Sequence, residues 1–245
     1  MNPIEEFQQE VRRNIEALGR DQALKAIARE FMISSARHNY TYNFKWMGRP
    51  IIQFPMDIIA LQELIWLVRP KVIVETGVAH GGSLIFHASM LELIGGEGRV
   101  IGVDIDIRAH NRAEIEAHPM AKRISLIQGS SVDPAVGQEV TSLIKDARPV
   151  MVILDSNHTH EHVMKELQLY SHFVGKGSYL VVMDTAVEDV PSELFAGRPW
   201  GEGNNPKTAV WEFLRNNSRF EVDKEIENKL LITVAPDGYL KCIAD

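Results

Sequence analysis

Cysteine is almost missing from this chain: among 245 residues there is one, Cys242. A lone thiol excludes a disulfide framework and a cysteine-built metal centre, and it fits a reducing, cytoplasmic setting. Long apolar runs are missing too. No stretch approaches the roughly 18 residues needed to cross a bilayer, and the opening "MNPIEEFQQEVRRNIEALGRDQ" carries charge throughout, so neither a membrane span nor export is expected. Positive charge is in deficit, with 26 Lys and Arg against 33 Asp and Glu and a formal net charge of −7. A phosphate-backbone binder gathers cations on one face, and here they are scattered, so nucleic acid is not an expected partner. Internal repeats and low-complexity tracts are absent. What remains is a 45% hydrophobic chain long enough to bury the core of one α/β domain.

The pattern changes along the chain. Residues 3 to about 37 read as helix, with Ile4, Phe7, Val11, Ile15 and Leu18 on one stripe and Asp21 as a cap before a second stripe. An aromatic, turn-rich segment, "HNYTYNFKWMGRPIIQFP", leads to a helix opened by Pro55 and closed by Pro70. Residues 1–70 are therefore expected to form an N-terminal helical extension, and 71–245 the main domain. From Val72 onward, strand-like runs at 72–76, 100–104, 124–128, 150–155 and 179–184 alternate with helical patterns, which is the signature of βαβ units and a parallel sheet. The runs are almost wholly apolar, so helices should cover both faces. Asn205 and Pro206 read as N-cap and first helical residue, and the chain ends in a segment with strand character and an Asp237-Gly238 turn, expected as an antiparallel edge hairpin. Residues 185–204 are too long for a simple connection and form a candidate lid.

In an open parallel sheet, ligands sit beyond the carboxyl ends of the strands. Five consecutive ends are polar here: Glu75, Asp104, Gly129-Ser130-Ser131, Asp155 and Asp184. One such acid is more often a helix cap than a ligand, but five in succession mark a site. After the first strand, "ETGVAHGGS" should turn backbone N–H groups and a helix N-terminus toward a ligand. Gly77 is followed by Val78, Ala79 and His80 before Gly81 and Gly82, so the dinucleotide pattern lacks its second glycine, and a P-loop lysine is missing. A nucleoside with a short zwitterionic tail is favoured over a pyrophosphate.

These motifs resemble S-adenosylmethionine-dependent methyltransferases, notably the catechol O-methyltransferase type. "GRPIIQFPMDIIALQELIWLVRP", "ETGVAHGGSL", "LDSNHTHEHV" and "NNPKTAVWEFL" are more closely similar to the family named after cephalosporin hydroxylase, whose relatives include rhamnosyl O-methyltransferases of surface glycans; the likeness runs from about residue 45 to the end. It implies a Rossmann-like class I methyltransferase fold with S-adenosylmethionine as cofactor. On that resemblance Glu75 and the turn of Gly77, His80 and Gly81 hold the methionine portion, Ser83 its carboxylate and Asp104 the ribose hydroxyls, with Ser130 and Ser131 near the adenine. Asp155 matches the first metal-binding aspartate and closes the cofactor site, and Asp184 falls on the second acidic motif. The chain reads Met183-Asp184-Thr185 where relatives carry an acid pair or Asp-Asn, which departs from a complete three-ligand site for a divalent cation, expected as Mg²⁺.

His158, three residues after Asp155, lies where the catechol enzymes carry a catalytic lysine and is the candidate general base. His160 and His162 cannot share one helical face with it, so a three-histidine site is not expected; surface positions are the plain alternative. Tyr40, Tyr42, Phe44 and Trp46 either line an acceptor pocket or pack, and Trp200 is a candidate contact. The implied activity is O-methylation of a sugar or similar small polar acceptor in glycan, lipid or natural-product biosynthesis. Two other classes compete: a hydroxylase, whose two-histidine, one-carboxylate iron set cannot be assembled convincingly here, and a non-catalytic nucleoside-binding protein. The N-terminal helices and aromatic segment could also serve a homo-oligomeric interface.

Overall fold

Two capped helices open the computed structural model, which describes residues 2–245. Asn2 closes a capping box on α1 (Pro3–Arg20), and Asp21 accepts the Leu24 N–H at the start of α2 (Gln22–Ala36). The strands β1 (Phe44–Trp46) and β2 (Arg49–Ile51) form a short antiparallel ribbon. Then comes α3 (Pro55–Val68), with proline at its N-terminus and Arg69 in left-handed geometry at its end.

The main sheet is assembled from β3 (Val72–Thr76), β4 (Arg99–Asp104), β5 (Ile124–Gln128), β6 (Val150–Leu154), β7 (Tyr179–Val182), β8 (Phe220–Val222) and β9 (Tyr239–Cys242). Its order is β5-β4-β3-β6-β7-β9-β8. The first five strands run parallel, β9 runs antiparallel to β7, and β8 antiparallel to β9. Crossover helices α4 (Gly82–Ile94), α5 (Ala109–Glu116), α6 (Pro134–Ile144) and α7 (His160–Tyr170) connect them, and α8 (Pro206–Asn216) follows the long loop after β7. Every residue of β3, β6 and β7 is buried, because each face carries its own apolar cluster. That two-sided cover explains why these strands read as unbroken apolar runs.

The terminal antiparallel pair differs from a simple hairpin in its connection. Between β8 and β9 the chain forms α9 (Lys224–Leu230), capped by Asp223 and burying Ile226. The expected turn is present: Asp237 has a φ of 64°, and the Gly238 carbonyl accepts the Val182 N–H.

Chain order reverses between β3 and β6, and there the loops leaving the two strands cross. Gly77 has a φ of +92°, and a Cβ on it would lie 1.9 Å from the Asp155 carbonyl oxygen. Only glycine fits that crossing. A Cβ on Gly82 would likewise meet the Pro50 carbonyl at 2.0 Å, so the strap that begins with β2 presses on the N-terminus of α4.

Candidate active site

The turn after β3 is held from several sides. Asp104, at the end of β4, accepts the N–H groups of Val78 (2.7 Å), Ala79 (3.3 Å) and Asp106 (3.0 Å). Arg49 donates to the His80 carbonyl and to Asn111 Oδ1, while Asn111 Nδ2 donates to the Ala79 carbonyl. Beneath the turn, Glu75 is 1% exposed, accepts the Ser83 hydroxyl, and meets His87 Nε2 at 2.8 Å. The N–H groups of Gly82 and Ser83 open α4 and have no intrahelical partner, which makes a place for a carboxylate.

A small cavity of about 50 Å³ runs between this turn and the strap, lined by Gly77, His80, Gly81, Ser83, Asp155 and Gln53 among others. Gln53 is 3% exposed, and its Oε1 is buried without a donor. An orphaned amide oxygen beside open helix N–H groups suits a ligand that carries both an ammonium and a carboxylate. Gln53, Arg49 and Asn111 were not singled out in the sequence. For Gln53 the available signal was one polar residue inside the apolar stretch "IIQFP".

At the third strand end the two serines separate. Ser130 is half-buried, whereas Ser131 is 4% exposed and its Oγ lies 3.0 Å from His162 Nε2. His162 also meets Ser156 Oγ at 3.1 Å, and Ser156 donates to the wholly buried Glu166 at 2.7 Å. The hydroxyl of Ser131 therefore faces inward. His160 is engaged elsewhere, with Nδ1 2.8 Å from Thr208 Oγ1 and Nε2 3.2 Å from Glu212; it ties α7 to α8.

Asp155, His158 and Asp184 converge. One ligand atom from each lies within 4.8 Å of the others. The pairing of β6 with β7 sets the two aspartates side by side, and His158 Nδ1 stands 3.3 Å from Asp184 Oδ2. Asp184 has a φ of 55°, a left-handed geometry that aspartate tolerates better than most non-glycine residues. Burial, then the charges of Asp184, Glu75, Glu166 and Asp57, push the Asp155 carboxyl well above the usual carboxylate range. Among the described residues no hydrogen-bond donor reaches that carboxylate. Met183 and Thr185 are buried, and Thr185 donates to the Pro236 carbonyl, so neither faces the group. The third member of the group is His158.

From this trio a larger cavity of about 370 Å³ opens, lined by His158, Asp184, Tyr40, Tyr42, Phe54 and Trp200 among others. The aromatic segment thus divides. Tyr40 and Tyr42 line the cavity, while Trp46 packs on Phe86 and donates to Ser89, and Phe44 packs on Tyr40. Trp200 meets the His158 ring at 4.8 Å in an edge-on arrangement. The 185–204 loop that carries it is anchored at its ends: Lys207 pairs with Asp189 at 2.6 Å, and Glu188 accepts from Asn205 and Gly203.

The family model for rhamnosyl O-methyltransferase/CmcI matches residues 38–243. The chain belongs to that family. Rhamnosyl O-methyltransferases of Mycobacterium tuberculosis H37Rv and Mycobacterium bovis BCG are 30% identical over 226 residues, covering 88% of this chain and 84% of theirs. The Mycobacterium leprae protein of the same name is 29% identical over 208 residues, covering 82% and 85%. Among solved structures, CmcI without ligand superposes with a TM-score of 0.59 at 22% identity, and CmcI holding magnesium and S-adenosylmethionine with 0.57 at 22%, each covering 83% of this chain and 78% of that one. These likenesses agree with the family's mostly parallel sheet, its N-terminal helices and its antiparallel final strands.

Proposed function

We propose that the protein transfers a methyl group from S-adenosylmethionine to a sugar hydroxyl, with a divalent cation, Mg²⁺ by preference, at Asp155 and Asp184. The observation that carries this reading is the convergence of Asp155, His158 and Asp184 between the small cavity at the glycine turn and the larger cavity, whose linings share Ile52. Asp155 lines the first, His158 and Asp184 line the second, and a reaction between two bound molecules needs such a junction. Relatives named rhamnosyl O-methyltransferase support a sugar as acceptor, and a rhamnoside is the finer form of the proposal.

Under this reading the cofactor supplies an electrophilic methyl and the cation favours alkoxide character on the acceptor. Gln53 takes the cofactor's ammonium and the α4 N-terminus its carboxylate. Glu75, through Ser83, fixes the shape of the turn beneath the methionine portion. Asp104 holds the turn through two N–H groups and turns its remaining acceptor capacity to the ribose hydroxyls, and half-buried Ser130 lies toward the adenine. The acids around Asp155 make a cation favourable there, because a divalent charge offsets repulsion that protonation otherwise relieves. His158 orients through Nδ1 on Asp184 and accepts the hydroxyl proton on its other ring nitrogen, which has no partner among the described residues. Trp200 and the tyrosines give the sugar's apolar face aromatic surface. Residues 1–70 supply one wall of this cavity and 71–245 the chemistry.

Incubating the protein with S-adenosylmethionine, Mg²⁺ and a methyl rhamnoside, and following S-adenosylhomocysteine release together with methyl incorporation, tests the reading. Release coupled to a new methoxy group, stopped by chelator and restored by Mg²⁺, is expected. Cofactor binding without transfer to any hydroxyl acceptor would make the protein a nucleoside binder.

A further inference from the structure

The larger cavity holds one cation against one acid. Among its lining residues Arg198 is the only Lys or Arg and Asp184 the only carboxylate. The Arg198 guanidinium stands 5.4 Å above the Trp200 ring, and Trp200 in turn meets the His158 ring at 4.8 Å. Asp184, His158, Trp200 and Arg198 thus form a row along the wall, with the reacting groups at one end and a guanidinium at the other. Of the loop acids, Asp189 pairs with Lys207 and Glu188 with Asn205 and Gly203, while Glu193 and Glu202 are exposed and make no ion pair with that guanidinium among the described residues. Among the described residues the guanidinium makes no ion pair or hydrogen bond, in a chain whose net charge is −7. An arginine stacked on an aromatic ring is pre-ordered, and its fork matches two oxygens of a phosphate or carboxylate.

Resting on the sugar-methyltransferase reading, we infer that the natural acceptor is an anionic sugar derivative, whose phosphate or carboxylate binds Arg198 while the sugar ring lies along Trp200 and presents a hydroxyl to His158. Arg198 sets specificity and takes no part in the chemistry. With the cation at Asp155 and Asp184 engaged by the reacting hydroxyl, Arg198 is the one cationic side chain in the cavity lining left to meet the anion.

Calorimetry on the full chain loaded with S-adenosylhomocysteine and Mg²⁺ tests this without turnover. The probes are methyl rhamnoside, rhamnose 1-phosphate and methyl glucuronide, which are neutral, phosphorylated and carboxylated. At least one anionic probe should bind roughly threefold to fivefold more tightly than the neutral one, the gain an ion pair with an exposed guanidinium provides. Which of the two does so distinguishes phosphate from carboxylate. In Arg198→Ala that gap should close, the probes binding equally within error, and Arg198→Lys should recover part of it, since a point charge lacks the fork. Equal binding of neutral and anionic probes by the unaltered protein, no binding of any probe, or equal weakening of all three in Arg198→Ala would each overturn the inference. Tight anionic binding through Arg198 with no methyl transfer to any probe would keep the anion site and refute the sugar-methylating reading.

Discussion

Two aspartates in this fold lie in low-dielectric surroundings and have been treated in opposite ways. Asp57, wholly buried in the first turn of α3, accepts from the Thr233 hydroxyl, the Val234 N–H at 3.0 Å and the Tyr239 hydroxyl at 2.8 Å. Asp155 sits at the switch point with no donor on its carboxylate among the described residues and four acids acting on it. Both carboxyls are raised, Asp57 to about 6 and Asp155 well above the ordinary value. At Asp57 burial does this against three hydrogen bonds that pull the other way; at Asp155 burial and neighbouring charge act together. A satisfied acid fastens α3 to the loop before β9. An unsatisfied acid among acids is unstable until a cation or a proton arrives, which is what a ligand site requires.

The sharpest way to break the contrast is to neutralise each acid in turn. Asp155→Asn should abolish cation-dependent methyl transfer while cofactor binding, followed by calorimetry, survives; transfer at wild-type rate would place the chemistry elsewhere. Next in size, His158→Ala should lower turnover by roughly 10²–10⁴ with cofactor affinity unchanged. A fully active variant would move the proton acceptor to His80, His160 or water.

Asp57→Asn should act on stability instead. Below about pH 4 the carboxyl is protonated in folded and unfolded chains alike. Between there and a pH of about 6 the folded protein keeps a proton that the unfolded chain has released. Folding stability therefore falls as pH rises through that window, by up to about 3 kcal/mol from this one group. Thermal denaturation across the window should show that slope in the wild type and a flatter one in Asp57→Asn; parallel curves would remove Asp57 from the pH dependence. Smallest is Asp104→Ala, which removes both the clamp on Val78 and Ala79 and the proposed ribose acceptor. It should weaken cofactor binding by about 1–3 kcal/mol, and unchanged affinity would end the ribose assignment.

The sheet was readable because parallel strands buried on both faces leave apolar runs that end in polar residues, and all five stand within two residues of the expected bounds. The pairing of β6 with β7, which brings Asp155 beside Asp184, followed from chain order in a doubly wound sheet. What stayed hidden depends on contacts far apart in sequence. Gln53 reaches the turn only because the strap folds over α4, and Arg49 and Asn111 close on the loop from 31 and 32 residues away. The inward face of Ser131 is set by His162 from the next crossover, which no local spacing reveals. At α9 the apolar run "LLITV" and the turn at Asp237 favoured continuous strand, but Asp223 caps a helix whose Ile226 finds the core. The polar side of a helix only 7 residues long is easily read as alternation.

The central claim is that Asp155 and Asp184 bind a divalent cation, and Mn²⁺ titration of the full chain followed by electron paramagnetic resonance addresses it directly. One bound ion per chain is predicted, displaced by excess Mg²⁺, tightening as pH rises because the raised Asp155 carboxyl must release its proton, and lost in Asp155→Asn. No bound ion, or one retained unchanged in Asp155→Asn, would contradict the account.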